Sequence, residues 1–149
     1  RHCPLASGAA DVMLATGTIR PQPVIRPRLT NSMKSALSVN AALDELATLR
    51  GQEIAVEGVL RFEFEGTALD HFPKAERRSA KDEGPLEASS VWLCVGSGAL
   101  QFNEDQLRRW HGKRVTVLGT LLGPDEKLGG CGHFSAYPAE LLARSIERI

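Results

Sequence analysis

Two stretches of this chain repeat one pattern, and that pattern restricts the fold more than any other feature. LRGQEIAVEGVL (Leu49–Leu60) and WHGKRVTVLGTL (Trp110–Leu121) both read apolar-x-Gly-x-x-β-x-Val-x-Gly-x-Leu, where β is a β-branched residue. Each combines a helix end, a glycine that stops it, and a strand interrupted by a second glycine. In the first copy Ile54, Val56, Gly58, Leu60, Phe62 and Phe64 share one parity, while Glu53, Glu57, Arg61, Glu63 and Glu65 occupy the other. Such alternation is what a half-buried strand requires, and it places Phe62 and Phe64 in the core. A strand running from Glu53 to Glu65 exceeds the usual five or six residues, so it must bend or serve two sheets, most easily at Gly58. The second copy puts Val115, Val117, Gly119 and Leu121 on one side. Two copies with dissimilar segments between them do not make a repeat array. They predict two long kinked strands whose valines enclose a common apolar interior.

The remaining elements fall around these two. Leu43, Leu46 and Leu49, with Ala42 and Ala47, predict a short helix over Val39–Leu49, capped by Ser38 or Asn40 and ended by Gly51. Gly66-Thr67 is a turn, Ala68–Phe72 a short strand ended by Pro73, and the polar run Lys74–Ala88 a long mobile loop. Ser89–Val95 is a strand with Val91, Leu93 and Val95 on one face, and Gly96 and Gly98 close it. Asn103 caps a helix that has Glu104 and Asp105 in its first turn, Arg108 and Arg109 in its last, and Gly112 just beyond. Arg114–Leu122 is the strand of the second copy, and a Gly-rich loop runs from Gly123 to Pro138. Glu140–Ile149 is read as a closing strand, although Leu142, Ile146 and Ile149 also suit a helix that Pro138 could open.

This order is strand with central Gly, strand, strand, capped helix, strand with central Gly, strand. It resembles the OB-fold superfamily on the residues Gly51-x-x-Ile54-x-Val56-x-Gly58-x-Leu60 and Gly112-x-x-Val115-x-Val117-x-Gly119-x-Leu121. The resemblance covers residues 51–149 and extends to small uncharacterised bacterial OB-like proteins. It implies a mainly β chain: a five-stranded Greek-key barrel with a helix between strands 3 and 4, preceded here by a short N-terminal helix. It implies no particular function, because such barrels host many ligands.

Composition narrows the function classes. The eighteen basic and eighteen acidic residues cancel, but residues 1–38 hold five basic residues against Asp11 alone, which leaves the remainder acidic by four. An acidic body opposes tight nonspecific nucleic-acid binding. Pro21, Pro23 and Pro27 in IRPQPVIRPRL disfavour helix and central strand. Residues 1–37 are therefore read as a disordered or non-native basic tail, and 38–149 as the domain. Met33 opens an ordinary-looking protein start; a basic arm that grips an acidic partner is the functional alternative. Cys3, Cys94 and Cys131, odd in number and irregular in spacing, do not make a disulfide framework and suit the cytoplasm. No apolar run reaches the roughly 18 residues that span a bilayer.

Chemical motifs are sparse. Cys131-Gly132-His133 is one short ligand pair, and His71, Cys94 or His111 would have to complete it, whereas a structural zinc site takes four ligands in close pairs. A dyad of Cys94 with His133 or His111 can be drawn, but a cysteine in a buried-type strand is ordinarily an inert small hydrophobe. No P-loop, GxSxG or GxGxxG is present. These observations point to no catalytic residues, no metal and no cofactor. Binding residues are expected at Arg61, Trp92, Lys127, His133, Phe134 and Tyr137, with Phe134 and Tyr137 alternatively plugging the barrel mouth. The expected function is a non-enzymatic module that recognises another protein, such as a bacterial accessory or toxin-neutralising protein. The alternative is a single-stranded nucleic-acid-binding OB domain, disfavoured by few aromatics and by the glutamates beside Arg61.

Overall fold

The structure is a computed structural model and describes residues 35–80, 84–95 and 103–149. Lys34–Ile149 is a unit of its own. The tail reading for residues 1–37 falls, through residue 34, outside the described residues, as do Gly96 and Gly98.

Leu37–Ser38 (β1) leads into Val39–Asp44 (α1) and Leu46–Leu49 (α2). Ser38 caps α1 by accepting the Ala41 N–H at 3.2 Å. The expected single helix is broken at Glu45 (φ −99°, ψ 13°). Leu43, Leu46 and Leu49 repeat every three residues, faster than an α-helix turns, so a tighter turn at Glu45 is needed to keep all three against the core.

The strands that follow are Glu53–Glu63 (β2), Gly66–Asp70 (β3) and Ser90–Cys94 (β4). After them come the helix Glu104–Trp110 (α3) and the strands Arg114–Leu122 (β5) and Glu140–Arg148 (β6). The closing segment is thus a strand. Asn103 caps α3 by accepting the Asp105 N–H at 2.9 Å, and the acids and arginines occupy the expected first and last turns.

The chain is mainly β. One six-stranded sheet runs in the order β1-β2-β3-β4-β6-β5, and an additional β2–β5 pairing closes the ring. Five strands were expected; the sixth, β1, is a two-residue parallel addition at Leu37↔Val56, too short to leave a period in the sequence. The two echoed strands are antiparallel neighbours, with Ile54 opposite Gly119, Val56 opposite Val117 and Gly58 opposite Val115. Val56, Val115 and Val117 are fully buried, together with Leu60 and Leu121 of the same two strands and Leu69, Val91 and Leu141 from the other strands. Each such side chain contributes about 1.5–3 kcal/mol by leaving water. Val39 and Ala42 of α1 and Leu107 of α3 pack against this interior.

Gly58 marks where β2 changes partners. From Glu53 to Val59, β2 pairs with β5; from Val59 to Glu63 it pairs with β3. A Cβ on Gly58 would lie 2.5 Å from the Asp70 carbonyl oxygen and 2.9 Å from Leu69 Cγ, so only glycine allows the strands to cross this closely. At the equivalent place in β5 the register shifts between Leu118 and Gly119 and leaves Arg144 of β6 unmatched, a bulge that bends the β5–β6 pair.

Phe64 corrects the parity reading. Strand β2 ends at Glu63, so Phe64 sits at the hairpin tip and is fully exposed; Phe62, still in the strand, packs against the core. The described part of the segment after Pro73 is tied down. Arg78 forms two 2.8 Å bonds to the Asp44 carboxylate and donates its backbone N–H to Ser89 Oγ, also at 2.8 Å. Among the described residues no helix is long and apolar enough to cross a membrane.

Candidate functional site

The outer face of β3 and β4 carries a second, smaller apolar cluster. Ala68 pairs with Trp92 across these strands, and Trp92 points away from the main core. The segment between β5 and β6 folds back over it. Asp125–Gly129 is a turn closed by Leu128 N–H and Gly129 N–H donating to the Asp125 carbonyl. Cys131 and Tyr137 then exchange backbone hydrogen bonds of 2.8 and 3.2 Å, which pinch residues 132–136 into a small lobe. Tyr137 is buried with its ring centroid 5.3 Å from that of Trp92, tilted by 57°.

Gly132 makes this seat possible. Its φ is +68°, and a Cβ there would lie 2.5 Å from the Trp92 ring, so both conformation and space demand glycine. The lobe is further held by the Glu87 N–H donating to the Ala136 carbonyl at 2.9 Å. Its tip is strained: Phe134 (φ 55°) and Ser135 (φ 54°) are both left-handed, at about 1–3 kcal/mol each. The strained backbone lifts Phe134 out, 86 % exposed.

The lobe stands beside the β2–β3 hairpin tip. His133 Nε2 lies 3.5 Å from Glu65 Oε2, and the His133 and Phe134 rings meet edge to face at 4.0 Å. Two exposed phenylalanines, Phe64 and Phe134, are thereby displayed on neighbouring loops.

Arg61 lies beneath the lobe. Its guanidinium donates to Asp70 Oδ1 and Glu87 Oε2, both at 3.0 Å, with its carbon 5.9 Å from the Tyr137 ring centre. Burial works against the charge of Arg61, but Glu87 and Asp70 outweigh it and hold the guanidinium above its ordinary pKa. Asp70 also accepts from Ser90 Oγ at 2.7 Å and lies 3.7 Å from Arg77 Nη1. Arg61, Asp70, Arg77, Arg78 and Glu87 line an open cleft of about 160 Å³ whose charges are largely paired with one another. Burial pushes the Tyr137 hydroxyl up; Arg61 opposes the shift, and Glu87, Asp70 and Glu63 add to it.

Of the six residues expected to bind, Arg61, Trp92 and Tyr137 come together as the floor that seats the lobe, and His133 and Phe134 lie on the lobe itself. Lys127 sits in the Asp125–Gly129 turn, its N–H on Asp125 Oδ1. No hydrogen bond, ion pair or ring contact among the described residues joins it to the other five. The plug alternative divides: Tyr137 is buried against Trp92 and Phe134 is not. Sequence reasoning missed Phe64, Glu65, Asp70 and Glu87. The turn falls at Phe64–Glu65, and Gly66-Thr67, read as the turn, opens β3 instead; a turn this near could have released Phe64 from the core assignment, since parity loses its meaning where a strand ends.

The residues weighed for metal or nucleophile chemistry have other partners. Cys94 Sγ faces Glu140 Oε2 at 3.6 Å. The Cys131 thiol is pushed up to about 11 by burial, with Glu140 adding and Arg50 opposing. His71 is buried and accepts the Asn40 N–H on Nδ1, which leaves Nε2–H toward Glu76 at 3.4 Å. His111 accepts the Phe62 N–H at 3.0 Å. No group of three or more His, Cys, Asp or Glu is placed to hold a metal ion among the described residues.

No protein-family model and no curated protein matches this chain. Among solved structures it is similar to a DUF3299 family protein from Pseudomonas aeruginosa PAO1, at 14 % identity and a TM-score of 0.39, over 68 % of this chain and 64 % of that one. It is also similar to a chain assigned as an aspartyl-tRNA synthetase from Leishmania major Friedlin, at 11 % identity and a TM-score of 0.43, over 85 % of this chain and 23 % of that one. The matches span less than two thirds of either known chain, and likenesses this distant do not bear on what the present chain does.

Proposed function

We propose that residues 38–149 are an OB-type Greek-key barrel that works as a cytoplasmic, non-enzymatic protein-recognition module, an accessory or toxin-neutralising protein of bacterial type. The ring order supports the fold reading: β2, β3, β4, β6 and β5 follow one another around a closed circuit, β4 and β6 run parallel, and α3 falls between β4 and β5 in the chain. The observation that carries the function reading is the display of Phe64 and Phe134 on adjacent loops, one of them held out by strained backbone. Large apolar side chains kept in water at a conformational cost mark an interaction surface.

Single-stranded nucleic acid is the weaker reading. Trp92 and Tyr137 pack on each other instead of offering free ring faces, and the Arg61 charge is paired with two carboxylates. The test compares the wild type with a Phe64→Ala/Phe134→Ala double variant, immobilised in extract of the source cells. A stoichiometric protein retained by the wild type and lost by the variant supports the proposal. Micromolar binding of oligothymidylate that weakens steeply with salt overturns it.

A further inference from the structure

We propose that the Phe64–Phe134 face docks a protein surface in which an apolar pocket is ringed by lysine or arginine; this rests on the protein-recognition reading above and names its partner's chemistry. The argument is one of charge around the two rings. Phe64 is fully exposed between Glu63 and Glu65, both exposed, at the end of a two-stranded tip. Glu65 has His133 3.5 Å away, while Glu63 has no ion pair among the described residues. Among the described residues, the cations nearest this edge are paired or lie along the other edge of β2. Arg61 is held by Asp70 and Glu87. His111, whose Nδ1 accepts the Phe62 N–H, and Lys113, whose backbone carbonyl accepts the Leu60 N–H, are placed along the edge of β2 opposite β3.

An apolar prong flanked by carboxylates is repelled by phosphates, whether in a nucleic acid or an anionic bilayer. It complements a basic rim around an apolar pocket, where the rings supply buried area and the glutamates supply orientation and encounter rate.

A phage-displayed random peptide library, selected on the full chain and counter-selected on the Phe64→Ala/Phe134→Ala variant, tests this. Both rings are exposed, so the variant should retain the wild-type circular dichroism and melting curve. Enriched peptides should carry aromatic or aliphatic residues flanked by Lys or Arg. Synthesised singly, they should bind the double variant at least about tenfold more weakly. Glu63→Lys, which keeps both rings and the His133–Glu65 contact, should weaken them about three- to tenfold, and the difference should shrink in high salt. Acidic or neutral peptides that need both rings and ignore Glu63→Lys would overturn the basic-partner inference while leaving protein recognition standing. Peptides indifferent to the rings, or binding to phosphatidylserine vesicles or oligothymidylate that does need them, would overturn both.

Discussion

Tyr137 rests against Trp92 with ring centroids 5.3 Å apart, and it is the only tyrosine in the chain. Its ionisation can therefore be followed without interference from another phenol. Titrated by near-ultraviolet difference absorbance, the folded protein should show a midpoint above 10.0, falling back toward that value in denaturant. Tyr137→Ala should cost about 2–4 kcal/mol in urea unfolding, because it empties the centre of the outer cluster.

Strand parity is checked by neighbouring residues of β2. Val56 is fully buried against Val117, so Val56→Asp buries an unpaired carboxylate and should cost several kcal/mol, enough to prevent folding. Glu57, one residue on, points outward to Arg114, and Glu57→Ala should change stability by less than about 1 kcal/mol. Equal losses at the two positions would contradict the assignment of inner and outer faces.

Arg61 should behave as a structural hub. Arg61→Ala leaves Asp70, nearly buried, with its Ser90 bond and only the distant Arg77, and is expected to cost about 3 kcal/mol in equilibrium unfolding. Arg61→Lys should recover less than half of that, since an ammonium cannot reproduce the fork that reaches Asp70 and Glu87 together.

Gly132 and Gly129 share a left-handed φ, of +68° and +66°, but differ in surroundings. Gly129 has open space where a Cβ would go, so Gly129→Ala should cost about 1 kcal/mol from conformation alone. Gly132→Ala adds collision with the Trp92 ring and should cost clearly more, with a change in the tryptophan fluorescence of the folded state. Similar values for the two would mean that the lobe is not seated on Trp92.

Alkaline unfolding should carry a signature of Cys131. A thiol whose folded pKa is raised from 9.0 to about 11 favours the native state in its protonated form. That contribution is complete below pH 9 and disappears as pH climbs through 11. Chemical denaturation at successive pH values should show stability falling across this window, and Cys131→Ala should flatten the fall, leaving the part due to Tyr137.

Much of the ring was legible in the sequence because its rules are local. The echo around Gly58 and Gly119 identified two strands that prove to be direct neighbours with their valines facing inward. Asn103, Ser38, Gly51 and Gly112 marked helix ends through capping chemistry that needs only a few residues of context. What failed was non-local or fell at a boundary. Phe64 kept the right parity one residue past the end of its strand. The seating of residues 131–137 on Trp92 was illegible because a Gly-rich loop has no period, and its position depends on a strand forty residues away. The pairing of Arg61 with Asp70 and Glu87 likewise joins three segments that no spacing rule connects.

Strand β3 is buried on both sides: Leu69 faces the enclosed interior while Ala68 lies under Tyr137. The two layers it separates need not open together. Lifting the 131–137 lobe would wet one side of β3 and leave the hydrogen-bonded ring intact, so amide exchange should divide into two tiers. Trp92 would then report the easier opening, and the backbone N–H groups shared by β2 and β5 would exchange only when the whole molecule unfolds.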